Sequence, residues 1–159
     1  MTRWLTDDQQ QAWRAWIAAS LLLPDRLSRD LQDEAGISLA DYEILVHLSE
    51  SPQRRLRMSE LADLTLSSRS RLSHQIDRMS NAGLVDRQPC SEDRRGAFAV
   101  LTQDGYDFLV TTAPAHVASV RAHLVDVLTP EEFDVLGRIC TKVADRLRPT
   151  APGSGDDEG

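Results

Sequence analysis

Ser68, Arg69, Ser70, Arg71, Ser73, His74 and Arg78 follow one another closely between Leu64 and Leu84, a stretch in which Asp77 is the sole carboxylate. Hydroxyls and the free amides of a helix start donate to phosphates, and a guanidinium can span two acceptors on a guanine edge. With Leu72 as origin and about 100° per residue, Ser70, Arg71, His74, Asp77 and Arg78 fall on the arc opposite Leu72, Ile76 and Met79. One face of such a helix is apolar, and the other suits a duplex groove. The plainer alternative, a solvated polar face, is weakened by the near absence of acids.

A second cluster lies a little further on. Cys90-Ser91-Glu92-Asp93-Arg94-Arg95-Gly96 separates two short segments, Val85 to Pro89 and Ala97 to Leu101, in which alternation replaces the helical period. This reads as a hairpin with a charged tip. An arginine pair on a narrow turn can enter a minor groove, and Asp93 is placed to hold the Arg95 side chain extended. A charged turn alone is weak evidence; its position, one strand after two helices, is what gives it meaning.

The elements that must position these residues are mostly helical. Trp13, Trp16, Ile17, Leu21, Leu27 and Leu31 recur at helical spacing over Asp7 to Glu34, capped by Thr6 and stopped by Gly36, with a kink or short break expected at Pro24. Ser38 opens a second helix over Leu39 to Ser49, and a polar connection is expected over Glu50 to Arg57. A short helix capped by Ser59 then precedes the Arg69 to Ala82 helix, with Gly83 as its left-handed stop and Leu84 folding back on its last turn. Thr102 caps a helix expected to reach about Leu128 with a kink at Pro114, and Thr129-Pro130-Glu131-Glu132 starts the last helix, to about Leu147. Residues 149–159, rich in Pro, Gly and acids, are expected to form a disordered acidic tail.

Charge distribution sharpens the picture. The 159-residue chain has a net charge of −7, yet residues 52–98 carry +3 and the remainder −10. Seventeen of the eighteen cations are arginine, the planar forked donor, although base composition of the gene would give the same bias. The uncharged stretch Ala15 to Pro24 is only ten residues, too short to cross a bilayer, and a soluble cytoplasmic protein is expected. Cys90 and Cys140 are fifty positions apart and His116 and His123 seven, so neither pair forms a ligand set; no metal and no cofactor are expected. Gly-rich phosphate loops, nucleophile elbows and paired-acid motifs do not occur, which points away from an enzyme.

Met58-Ser59-Glu60-Leu61-Ala62, Ser67 to Leu72, Ile76-Asp77-Arg78-Met79, Ala82-Gly83-Leu84-Val85, and Glu92 to Gly96 through Val100-Leu101-Thr102-Gln103-Asp104-Gly105 together resemble the multiple antibiotic resistance regulator (MarR) family. The resemblance implies a mainly α fold with a small β-hairpin: a winged helix-turn-helix domain flanked by N- and C-terminal dimerisation helices. It places the DNA-binding lobe at about residues 39–102 and the dimerisation helices at about 7–35 and 103–148, all within one domain, 1–148. It further implies a homodimeric transcriptional regulator on a pseudo-palindromic operator, a repressor of nearby genes released by a small aromatic or phenolic effector. Ser68, Ser70, Arg71, Ser73, His74 and Arg78 would then face the major groove, Asp93 and Arg95 would form the wing contact, and Trp13, Trp16, Tyr42 and His47 would line the effector pocket. Two alternatives remain at this point: a winged helix acting as a protein-interaction module, which should carry exposed apolar anchors on the α-helical arc, and a redox-responsive regulator acting through Cys90 beside Arg87.

Overall fold

The structure, a computed structural model, describes residues 1–91 and 96–148. The expected tip contacts Asp93, Arg94 and Arg95 and the expected tail 149–159 lie outside the described residues. Two compact units are present, Met1–Val120 and a second beginning at Arg121.

The first helix, α1 (Asp7–Ala35), starts on a reciprocal cap: Thr6 Oγ1 accepts from the Gln9 N–H at 3.3 Å while Gln9 Oε1 accepts from the Thr6 N–H at 3.0 Å. It ends at Gly36, whose φ of 68° is a conformation that glycine adopts without steric cost. The helix α1 continues past Pro24 without a break, and the helix over Gln103–His123 continues past Pro114. A proline in mid-helix removes one donor and crowds the carbonyl four residues earlier, so continuity is compatible with a kink at either position. Ser38 caps α2 (Leu39–Glu50) by accepting from the Asp41 N–H.

The expected polar connection after α2 is a structured element. Pro52–Arg54 makes one 3-10 turn and Arg55–Arg57 forms β1, so the hairpin becomes a three-stranded antiparallel sheet of order β1-β3-β2, with β2 Val85–Pro89 and β3 Ala97–Leu101. Arginine-rich β1 gave no alternating apolar signal. It is held instead by guanidinium stacking: Arg55 and Arg57 lie 4.8 and 5.4 Å from the Phe98 ring, and Arg54 lies 3.6 Å from that of Tyr106. The following helix, α3 (Met58–Leu64), begins one residue before the expected cap Ser59, because Glu60 reaches back to accept from the Arg57 N–H at 3.0 Å. Then come α4 (Arg69–Asn81) and, beyond the sheet, α5 (Gln103–His123).

One core joins these elements. Leu31 of α1, Ile44, Leu45 and Leu48 of α2, Leu61 of α3, Leu72, Ile76 and Met79 of α4, Val85 of β2, Ala99 and Leu101 of β3 and Leu109 of α5 are all buried together. Thr102 closes the turn from β3 into α5: its hydroxyl donates to the Gly83 carbonyl at 2.7 Å and accepts from the Gly105 N–H at 2.9 Å. Gly105 packs so tightly that a Cβ there would run into the Leu84 carbonyl.

In the second unit, Leu124 adopts φ −137°, which ends α5 at His123 rather than near Leu128. Val125–Val127 makes a 3-10 turn, and α6 (Pro130–Leu147) starts on the expected Thr129 cap, with Glu132 completing the reciprocal pair. No residue of α6 is buried. Phe133, Ile139, Val143 and Leu147 are exposed, and Cys140, expected within an apolar core stripe, is half-buried. Among the described residues, no helix is long and apolar enough to cross a membrane.

Two predictions follow from this packing. Gly105→Ala should destabilise the chain by about 1 to 3 kcal/mol in urea unfolding, because the added methyl meets fixed backbone. The second concerns His116, whose ring lies 4.6 Å from that of buried Tyr42 and whose Nδ1 is buried without a partner among the described residues. Burial lowers the His116 pKa and outweighs the opposing charge of Glu43. A histidine held neutral by the fold stabilises it fully above its unfolded value near 6.5, and this contribution is lost as the pH falls toward the depressed folded value. The melting temperature should therefore drop more steeply from pH 7 to pH 5 in the wild type than in His116→Gln.

Candidate nucleic-acid interface

The candidate surface begins at the turn before α4. Ser68 adopts extended backbone and its hydroxyl accepts from the Arg71 N–H at 3.2 Å, so α4 starts on a hydroxyl cap with arginines immediately after it. Leu72 and Ile76 are completely buried and Met79 nearly so. That burial fixes the rotation of the helix and leaves Ser68, Arg69, Ser70, Arg71, His74 and Arg78 exposed, with Ser73 half-buried at the margin. The arc expected from helical geometry is thus the arc that faces solvent.

Two lateral ties hold this helix. On one flank, Arg78 donates through one nitrogen to both carboxylate oxygens of Asp41, at 2.9 and 2.8 Å, and Gln75 Nε2 donates to the same carboxylate at 3.2 Å. Asp41 comes from the first turn of α2 and its side chain is 11% exposed, whereas that of Arg78 is 61% exposed. The carboxylate is therefore the desolvated partner, and the guanidinium keeps its outer edge in water. On the other flank, Arg87 of β2 donates to the Ser73 carbonyl at 3.2 Å, to the Ser73 hydroxyl at 3.0 Å and to Asp77 at 2.9 Å. Asp77, the one acid on the helix, is neutralised by this contact. Arg69 and Arg71 make no ion pair among the described residues. Arg57, Arg69 and Arg87 border a single cleft of about 460 Å³ between α3, α4 and the sheet, which concentrates positive charge beside the helix start.

Neither Asp41 nor Gln75 was identified as part of the site from sequence. Gln75 lies three positions from Leu72 and four from Met79, so its buried orientation was readable from spacing. Asp41 carries no local signal of its pairing with a residue 37 positions away.

The four expected pocket residues do not share one environment. Tyr42 is buried in the core, its hydroxyl pKa raised by that burial, and His47 is half-buried near the end of α2. Trp13 and Trp16 are 53% and 45% exposed on α1, outside the core that Leu27 and Leu31 enter. Cys90 is buried at the end of β2, with its N–H bonded to the Gly96 carbonyl, which is the position of a small strand-end residue. Among the described residues, no group of three His, Cys, Asp or Glu side chains gathers as a metal site.

A profile of the MarR family matches residues 35–96, which contain α2 through β2. Sco3205 of Streptomyces coelicolor, a MarR family transcriptional regulator solved in complex with DNA, is 49% identical to this chain; the match covers 94% of each chain with a TM-score of 0.89. The chain belongs to the MarR family. AbsC of the same organism, another MarR family transcriptional regulator, is 52% identical over 92% of this chain and 99% of its own, with a TM-score of 0.85. The repressor YetL of Bacillus subtilis is 26% identical over 70% of this chain, a match spanning 66% of YetL. In this MarR family chain the three-stranded sheet and α3–α4 make up the winged helix-turn-helix, with α4 in the position of a recognition helix.

The Asp41 tie gives an asymmetric prediction. Asp41→Ala should cost about 1 to 2 kcal/mol, below the 3 to 5 kcal/mol of a fully buried pair, because Arg78 stays solvated when released and the loss is chiefly the hydrogen bond of the buried Gln75 amide. Arg78→Ala should cost more, since it strands a desolvated carboxylate with Gln75 as its remaining partner. Urea unfolding of both single variants and the double variant measures the difference, and equal costs would contradict the assignment of burial to the carboxylate.

Proposed function

We propose that this chain is a homodimeric DNA-binding transcriptional regulator of the cytoplasm, a repressor that reads a pseudo-palindromic operator and is released by a small aromatic or phenolic effector. The observation that carries the DNA-binding part is the outward arc of α4. Arg69 and Arg71 are unpaired among the described residues, they follow a hydroxyl cap, and Asp41 and Asp77 at the flanks of α4 are paired with Arg78 and Arg87. A protein-interaction module would carry apolar anchors on that arc, where Ser70, Arg71, His74 and Arg78 stand. The 49% identical Sco3205, solved with DNA, and the repressor name of YetL support the same reading.

The dimer is supported by unmatched apolar surface. Trp13, Trp16, Leu21 and Leu22 on α1 are exposed, as are Phe133, Ile139, Val143 and Leu147 on α6. A two-fold partner covers such stripes with the stripes of the same helices. The axis would then set two recognition helices about 34 to 36 Å apart, one turn of the duplex. An effector that favours a different separation draws the population away from the DNA-competent form. Trp13 and Trp16, large aromatics outside the core, are the side chains we place nearest such a ligand.

Selection from a random duplex library should return inverted repeats bound by two chains, and sedimentation should give twice the chain mass. On the selected duplex, affinity should fall steeply between 50 and 200 mM salt, as phosphate contacts require. Arg71→Ala should weaken binding by about 1 to 3 kcal/mol without lowering the melting temperature. A monomer in solution, or an affinity indifferent to both salt and Arg71, would overturn the reading.

A further inference from the structure

The chain ends two successive helices with the same backbone motif but fills it in opposite ways. After α4, the Leu84 N–H bonds the Met79 carbonyl at 3.0 Å and the Gly83 N–H bonds that of Ser80 at 2.9 Å. Gly83 occupies the left-handed position with φ 76°, and the apolar Leu84 packs against the core. This is the usual filling: glycine where φ is positive, and a hydrophobe next to it folding inward.

After α3, the Ser67 N–H bonds the Ala62 carbonyl at 3.0 Å and the Leu66 N–H bonds that of Asp63 at 3.3 Å. The hydrogen bonds are equivalent, yet leucine holds the left-handed position, with φ 50°, and a serine holds the inward one. A branched side chain in that conformation is strained, and this one gains nothing from burial, because Leu66 is 93% exposed. Folding alone therefore favours glycine at residue 66.

We propose that Leu66 is a specificity-determining residue that contacts the C5-methyl group of a thymine in the major groove. The inference rests on the DNA-binding reading above. Leu66 lies two residues before the α4 cap and is followed by Ser67, Ser68, Arg69, Ser70 and Arg71, so its apolar tip stands at the edge of a field of hydrogen-bond donors. An A·T pair presents a matching surface, an acceptor oxygen beside a methyl group, and apolar contact with that methyl is how it is distinguished from other pairs. Leu64, two residues earlier, is also exposed, but the chain from Ser67 onward and the outward arc of α4 are polar, which leaves little apolar surface for a protein partner.

The test uses the full chain, a duplex selected by the wild type from a random library, and that duplex with each thymine replaced singly by deoxyuridine, which lacks only the methyl. Wild type should lose about fourfold in affinity at one thymine per half-site, the factor one buried methyl group is worth. Leu66→Gly and Leu66→Asn, both comfortable at positive φ, should bind the thymine duplex about fourfold more weakly and show no loss at that position. Leu66→Gly should also melt at a higher temperature than wild type, which confirms that it folds. Wild type and both variants responding alike to every deoxyuridine would overturn the proposal while leaving the DNA-binding reading intact. Undiminished affinity of both variants for the thymine duplex would do the same and would point to a protein partner for Leu66. Failure of wild type to select any duplex would instead defeat the underlying reading, and this proposal with it.

Discussion

The rotation of α4 about its own axis is the constraint on which the rest of the surface depends. Leu72 and Ile76 are fully excluded from solvent and Met79 nearly so, against a core drawn from α2, α3, the sheet and α5. Each such side chain contributes roughly 1.5 to 3 kcal/mol by its burial. Turning the helix by a single residue, about 100°, would expose all three and bury charge in their place. No contact on the outward side competes with that sum. Which side chains face outward is therefore settled by the inward ones, and the arginines and serines of the arc need no interaction of their own to be presented.

Given that rotation, the two lateral ties divide the arginines by task. Arg78 and Arg87 are committed to Asp41 and to Ser73 and Asp77, whereas Arg69 and Arg71 make no such commitment among the described residues. The division explains how a chain of net charge −7 can present a positive face without a large excess of cations. The acids closest to the arc lie against guanidinium groups at its flanks, so the field over its centre comes from the unpaired arginines and from the amides of the helix start. The ties also link α4 to α2 on one side and to β2 on the other. A displacement of either element reaches the recognition helix through a charged contact as well as through packing.

Most local signals in the sequence were read correctly where the cause is local. The caps at Thr6, Ser38, Thr102 and Thr129, the stops at Gly36 and Gly83, and the bounds of β2 and β3 all follow from residue types within a few positions of each feature. Two misses are local, the start of α3 at Met58 and the end of α5 at His123, and others originate in tertiary structure. Strand β1 shows no apolar signal because the Phe98 ring on β3 holds both of its arginines, and Asp41 is drawn into the site by a residue 37 positions away. Pro24 and Pro114, where a kink or short break and a kink were expected, both lie inside helices that continue past them. Leu66 differs from all of these: its exposure and its positive φ both run against local preference and are not offset by packing, which is where a requirement other than folding is to be sought.

Comparison of α4 with α6 carries the synthesis one step further. Both are amphipathic helices with capped starts, yet the apolar face of α4 is wholly buried within its own chain, whereas no residue of α6 is fully buried and Leu136 and Cys140 are only half-buried. A unit with no buried residue on its main helix draws little stability from its own packing, since amphipathic helices are stabilised mainly by covering their apolar stripe. On the dimer reading, that cover comes from a second copy, and the folded population of α6 then depends on chain concentration. The winged unit has its own core and does not share this dependence. On that reading dilution would release α6 first and leave the winged unit folded, with the end of α1 still held in its core. On the same reading, loss of operator affinity would precede loss of the fold, and the spacing between the two α4 helices, rather than the integrity of either one, would be the quantity through which association controls DNA binding.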